Sequence, residues 1–191
     1  MTGLLKGIAA ICVLVVTGAA FADSVTYTGN TETSADGSWM RPDADFMMID
    51  TDTVLYSVQS FNVTADGLYD ITSIQGLDSN GTQFDGFIFL YASSFDPMDQ
   101  LSNGVAADDD GAGGTGTSDM LNVSLAAGTT YFLVTSAFDP ANTAFGSGSG
   151  PFSNTIDGPG DVLLDGAPVP LPAALWLMLS AVAGLRLIRR T

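Results

Sequence analysis

Two runs in the middle of this chain are apolar at every position, Phe87-Ile88-Phe89-Leu90-Tyr91 and Tyr131-Phe132-Leu133-Val134. Successive side chains of a strand point to opposite faces, so such a run has no face to offer to water. Each is expected to be a central strand, covered on one side by a partner sheet and on the other by loops or neighbours. Elsewhere the middle shows the alternation of half-buried strands. Tyr69, Ile71 and Ser73 alternate with Asp70 and Thr72 after an Asp66-Gly67 turn. Leu121, Val123 and Leu125 alternate with Asn122 and Ser124, placing an apolar face inward. Tyr56 and Val58 keep one phase and Phe61 and Val63 the other, a slip read as a bulge or short break within one long strand.

Turn chemistry punctuates these runs at Asp36-Gly37, Asp66-Gly67, Asn80-Gly81, Asp85-Gly86, Asn103-Gly104 and Asp157-Gly158. These residues tolerate the positive φ of tight connections. No segment of residues 23–165 carries helical apolar spacing over a useful length. The expected fold is all-β, an antiparallel β-sandwich of the jelly-roll kind. Gly, Ser and Pro dominate residues 146–160, so a last edge strand at 152–156 is expected to give way to a flexible spacer.

Residues 23–165 contain no Cys, His or Lys. A buried apolar core must therefore supply the stability, and about 140 residues suffice for one domain. All twenty-one acidic residues lie in this stretch, and Arg41 alone opposes them, leaving a charge of −20. Such a surface repels the nucleic-acid backbone, which excludes that partner, and also anionic lipid. Two readings of the charge stand: a solvated acidic surface, or a binder of divalent cations.

The two ends carry different signals. Lys6, an apolar run over residues 8–16 and Ala20-Phe21-Ala22 make a secretory signal, cut by signal peptidase after Ala22; Cys12 lies inside the apolar run and leaves with it. At the far end, Val169-Pro170-Leu171-Pro172-Ala173 opens a segment that is uncharged until Arg186, Arg189 and Arg190. Residues 173–188 as a helix would reach about 24 Å, slightly short of a hydrocarbon core of roughly 30 Å. Arg186 snorkelling to the headgroups makes a transmembrane helix feasible, with the arginines in the cytoplasm and the sandwich outside.

The tail VPLPAALWLMLSAVAGLRLIRR resembles the VPLPA variant of the PEP-CTERM sorting signal of Gram-negative bacteria. That resemblance implies processing near the Pro-rich motif by an exosortase-like membrane enzyme, with inner-membrane anchoring followed by surface or extracellular delivery. It also implies association with exopolysaccharide. Residues 53–138 are similar to the bacterial pre-peptidase C-terminal (PPC-like) sandwich, through FNVTADGLYDITS, FDGFIFLYASSFDP and the LAAGTTY hairpin at residues 125–131. The resemblance implies a non-catalytic accessory module. The layout is a signal helix at 1–22, an acidic sandwich at 23–145, an edge strand and spacer at 146–168, and the sorting tail with its helix at 169–191.

Candidate site residues are few. Asp108, Asp109 and Asp110, with Asp119 at the twelfth place, echo a calcium loop, but Ala112 stands where an oxygen ligand belongs and Asp119 replaces the bidentate Glu. A looser Ca²⁺ site and a hydrophilic hairpin tip both remain open there. Gly111-Ala112-Gly113-Gly114-Thr115-Gly116 fits a dinucleotide fingerprint only formally, since three aspartates precede it and no helix follows. Trp39 and Arg41 could line a sugar or carboxylate pocket; alternatively Arg41 pairs with Asp43 or Asp45, or fixes the edge of the sandwich. Without His, Cys or Lys, catalysis would need carboxylate pairs or a carboxylate-held metal. The expected function is that of a non-enzymatic surface or matrix protein. A Ca²⁺-dependent exopolysaccharide-binding module is the alternative, followed by a carboxylate-based hydrolase.

Overall fold

A computed structural model of the chain describes residues 24–140 and 145–165. Its strands are β1 (Val25–Asn30), β2 (Gly37–Pro42), β3 (Ile49–Val63), β4 (Gly67–Gln75), β5 (Gly86–Ala92), β6 (Gly104–Asp108), β7 (Thr117–Leu125), β8 (Thr130–Ala137), β9 (Pro151–Asp157) and β10 (Val162–Leu164). Among the described residues there is one helical turn, α1 (Thr31–Ser34), where the Asn30 side chain accepts a bond from the Glu32 amide. Every strand pairing is antiparallel. One sheet has the order β1-β9-β4-β7; the other runs β10-β3-β8-β5-β6, with β2 beside β10 on the same edge of β3. The protein is thus all-β, with two antiparallel sheets packed face to face.

Both faces of the six-stranded sheet are covered. On the inner face, Ile88 and Leu90 of β5 and Leu133 of β8 meet Tyr69, Ile71, Met120, Leu125 and Ile156 of the opposite sheet. On the outer face, Phe87, Phe89 and Tyr91 of β5 join Trp39, Tyr56 and Val134 in a second buried cluster. Loops close over this aromatic layer. Phe95 lies 5.5 Å from Trp39 and 5.1 Å from Tyr91, while Phe46 lies 5.4 Å from Tyr91. Polar ends of the rings are matched inside the layer: Trp39 Nε1 donates to Ser136 Oγ (2.9 Å) and the Tyr91 hydroxyl to the Gln100 carbonyl (2.8 Å). The expectation for β5 and β8 is therefore met on both faces.

Three expectations are corrected. The phase change in β3 is no bulge, because pairing with β8 runs unshifted from Tyr56↔Ser136 to Asn62↔Thr130. Tyr56 and Val58 belong to the outer aromatic layer, Phe61 and Val63 to the layer between the sheets, so one regular strand feeds two cores in turn. A bulge that does change which face is buried sits in β7, between the pairs Tyr69↔Val123 and Ile71↔Met120. There Asn122 takes φ 57° and its amide bonds to Asp70 Oδ1 at 2.7 Å. The extra residue turns Leu121 out to solvent and Met120 in.

The third correction concerns residues 152–156, which are not an edge strand, and residues 157–165, which are not a flexible spacer. β9 lies between β1 and β4 inside its sheet, and β10 pairs with β3. Gly158 passes so close to the Tyr69 ring that a Cβ there would come within 2.1 Å of it, and the Asp165 amide donates to Ser60 O at 3.0 Å. The sandwich therefore extends past residue 145 to the end of the described stretch. The expected signal helix with Ala20 and Ala22, the motif Val169 to Ala173, the tail helix and Arg186, Arg189 and Arg190 all lie outside the described residues. Among the described residues, no helix is long and apolar enough to cross a membrane.

If the outer aromatic layer is a true core, Phe89→Ala should cost about 3–5 kcal/mol in urea denaturation, while Leu121→Ala should stay within about 0.5 kcal/mol. Equal small effects would contradict a sheet covered on both sides.

Candidate functional site

Alternation along β2 places Trp39 and Arg41 on one face, as the sequence implies, but that face is covered: they are 3% and 5% exposed. The Arg41 guanidinium lies 4.9 Å from the centre of the Phe87 ring and 5.0 Å from that of Phe138. Its Nε and Nη2 donate to the Phe138 carbonyl at 3.1 and 2.8 Å, and Nη1 donates to Pro42 O at 3.2 Å. Its ion pair is with Asp50, Nη2 to Oδ2 at 3.0 Å. Asp43 and Asp45, the partners expected from proximity in sequence, instead accept bonds from the Met47 amide, and Asp43 also from that of Met48. Trp39 and Arg41 are thus internal fixtures joining β2, β3 and the end of β8, and a sugar has no access to either.

The four aspartates of the expected Ca²⁺ site do not converge. Asp108 Oδ2 accepts the Asp119 amide at 2.6 Å, and Asp119 Oδ2 accepts the Ala112 amide at 2.9 Å. Asp110 is exposed, whereas Asp109 turns inward. Among the described residues, no group of three or more His, Cys, Asp or Glu side chains is arranged to hold a metal ion. The glycine-rich stretch is a compact turn closed by Gly111 N→Thr117 O (2.8 Å) and Gly114 N→Gly111 O (2.9 Å), with positive φ at Gly114 and Gly116. Strand β7 follows it, so the dinucleotide fingerprint fails as expected.

The topology gathers charge where the sequence did not announce it, at one end of the six-stranded sheet. Asp85 precedes β5, Asp109 follows β6, Phe138 and Asp139 follow β8, and Arg41 ends β2. Asp85 is 5% exposed, so Asp85-Gly86 is no surface turn. Its backbone is tied on both sides, the carbonyl accepting from Phe138 N (2.9 Å) and the amide donating to Ser147 O (3.1 Å). Burial pushes its carboxyl up to about 6, helped by Asp110 and Asp139 and opposed by Arg41. Asp109 is pushed up to about 7, by burial first and then by Asp85 and Asp110, again against Arg41. Asp109 Oδ1 is buried without a hydrogen-bond partner. The one available hint was an acidic residue abutting a fully apolar run.

A polar row links this corner to the other sheet. Tyr27, Asn154, Ser73 and Ser118 stand in register across β1, β9, β4 and β7. Asn154 Nδ2 donates to the Tyr27 hydroxyl (3.0 Å) and to Thr135 Oγ1 of β8 (2.7 Å). Gln75 Nε2 donates to Ser73 Oγ (2.9 Å) and Ser118 Oγ (3.1 Å), and Ser118 Oγ lies 2.7 Å from the Asp109 carbonyl and 3.0 Å from that of Gly86. Separately, a shallow groove of about 400 Å³ is lined by Thr28, Ile74, Gly76, Pro151, Phe152 and Ser153 among others, with no titratable side chain.

No protein-family model matches this chain, and no curated protein matches it. Among solved structures it is similar to PliG of Aeromonas hydrophila, a periplasmic lysozyme inhibitor of g-type lysozyme. The identity is 13% and the TM-score 0.35, over 76% of this chain and 91% of that one. At that level of likeness nothing of the inhibitor's action is carried over.

Because Arg41 is internal, Arg41→Met should lower stability by about 3 kcal/mol, leaving Asp50 and the Phe138 carbonyl without their donors. A change under about 0.5 kcal/mol in chemical denaturation would show that the guanidinium does not brace the sheet end.

Proposed function

We propose that this chain is an exported, non-catalytic β-sandwich presented at the surface or in the extracellular matrix of a Gram-negative bacterium. It is delivered by the N-terminal signal and processed by an exosortase-like enzyme at the VPLPA motif. The observation that carries this reading is the charge of the folded unit. Its single cation, Arg41, is buried and paired, so every exposed ionic group between residues 24 and 165 outside the undescribed 141–144 is a carboxylate. Such a unit is held in solution by its own repulsion and does not adhere to anionic lipid or nucleic acid.

A non-catalytic role is supported by the placement of the reactive groups. The two carboxyls whose proton affinity is raised most, Asp85 and Asp109, are packed at a sheet end, and the groove lined by Thr28, Ile74 and Phe152 has no acid or base. A sugar-binding reading that relied on Trp39 and Arg41 loses its surface, since both are covered. The PPC-like resemblance fits an accessory module of this kind.

The test is fractionation of the native host with antibodies against the sandwich, plus N-terminal sequencing of the mature chain. The expected result is an N-terminus at Asp23 and a sandwich cut by protease added to intact cells. Replacing Pro170 and Pro172 by Ala should trap the chain in the inner membrane. Recovery of full-length protein in the cytosol, or tail variants sorted like the wild type, would contradict the proposal.

A further inference from the structure

Asp85 and Asp109 do no work in the proposed function, yet Asp85 is 5% exposed and one carboxylate oxygen of Asp109 is buried. A carboxylate removed from water must find donors, a counter-ion or a proton. Among the described residues no donor bonds the Asp85 carboxylate, and Asp109 Oδ1 is buried and unpartnered. Arg41 is near, but most of its N–H donors are engaged by Phe138 O, Pro42 O and Asp50. Among the described residues, no third carboxylate joins the pair in a metal-holding arrangement. Among the described residues, a proton is the neutraliser left.

We propose that Asp85 and Asp109 form a proton-operated latch, which holds the turn between β6 and β7 against the end of the six-stranded sheet while at least one of them is protonated and loosens it when both ionise. The latch does not depend on the sorting-tail reading. Its mechanical element is the turn of residues 109–116, held by the Ser118 hydroxyl on the Asp109 carbonyl and by Gly111 N→Thr117 O. The charges facing the pair come from every element packed there. They are Asp108 and Asp110 beside β6, Asp139 after β8, and Arg41 of β2 with its partner Asp50 of β3. All but Arg41 are acidic, so ionisation of the pair adds repulsion that one engaged guanidinium does not offset.

The sign follows from the direction of the shifts. A carboxyl whose proton affinity is higher folded than unfolded contributes stability in full below its ordinary value near 3.8. That contribution is lost as pH rises through about 6 for Asp85 and about 7 for Asp109. Asp108, also raised by burial first, acts in the same sense. Asp43 and Asp78, lowered chiefly by backbone amides, act oppositely, and their contributions are lost only as pH falls below 3.8. Between about pH 5 and pH 8 the raised pair therefore dominates.

The test is amide hydrogen exchange of the full-length chain in non-ionic detergent, corrected for intrinsic exchange rates, at about pH 5 and about pH 8. Amides of residues 110–117 should lose at least about tenfold in protection at the higher pH while those of β5 hold. Asp109→Asn, an isosteric mimic of the protonated group, should keep protection high at both values, and Asp85→Asn should shrink the dependence. Unchanged wild-type protection, or a pH dependence that survives in Asp109→Asn, overturns the latch. Protection restored at the higher pH by millimolar calcium chloride would assign the pair to a cation and overturn it equally.

Discussion

A strand that is apolar on both faces forces a third layer onto a two-layer fold. Antiparallel sheets commonly leave one face to water, and the four-stranded sheet does so, with Thr26, Thr28 and Ile74 exposed. β5 does not permit this in the six-stranded sheet. Ile88 and Leu90 need the opposite sheet, and Phe87, Phe89 and Tyr91 need a cover of their own. Each buried ring contributes about 2–3 kcal/mol, so the aromatic layer is worth as much as many a small core. The loops carrying Phe46 and Phe95, the β2–β3 hairpin carrying Trp39, and the hydrogen bond from Tyr91 to Gln100 all follow from that need.

The same layering explains the one buried cation among the described residues. Where the aromatic layer ends lie the carbonyls of Pro42, at the end of β2, and of Phe138, just beyond β8. Arg41 supplies donors to them, and its flat guanidinium lies between Phe87 and Phe138 where a lysine would not stack. Its charge also tempers Asp85 and Asp109, so packing and electrostatics meet at a single residue. The polar row Tyr27, Asn154, Ser73 and Ser118 carries that corner across to the second sheet. It does so with Asn154 Oδ1 and Gln75 Oε1 left without protein partners, a cost that apolar packing on either side must exceed.

Much of the fold was legible from hydrophobic period. β4 and the central strands β5 and β8 carry their burial in the sequence, because an apolar residue at each inward position leaves few alternatives. β9 hid its central place because its neighbours contribute register rather than apolarity. Ser153 and Thr155 face out, and the buried Asn154 is polar. The Leu121 to Leu125 alternation misled since a bulge changes the phase without changing composition, and only Asn122, tolerant of positive φ, hinted at it. Site residues were harder still. Alternation correctly put Trp39 and Arg41 on one face but did not say that the face is covered. Asp85, Asp109 and Asp139 meet only through strand order, which no local pattern encodes. The segments expected to be a secretory signal and a sorting tail lie outside the described residues.

The central claim is that β5 is enclosed by two independent apolar layers and opens only with the whole domain. Native-state hydrogen exchange along a denaturant series measures this directly. Amides of residues 87–91 should exchange with the free energy and denaturant dependence of global unfolding. Exchange of those amides through a low-energy, denaturant-independent opening would mean that the aromatic layer is a loose cover and that the account is wrong.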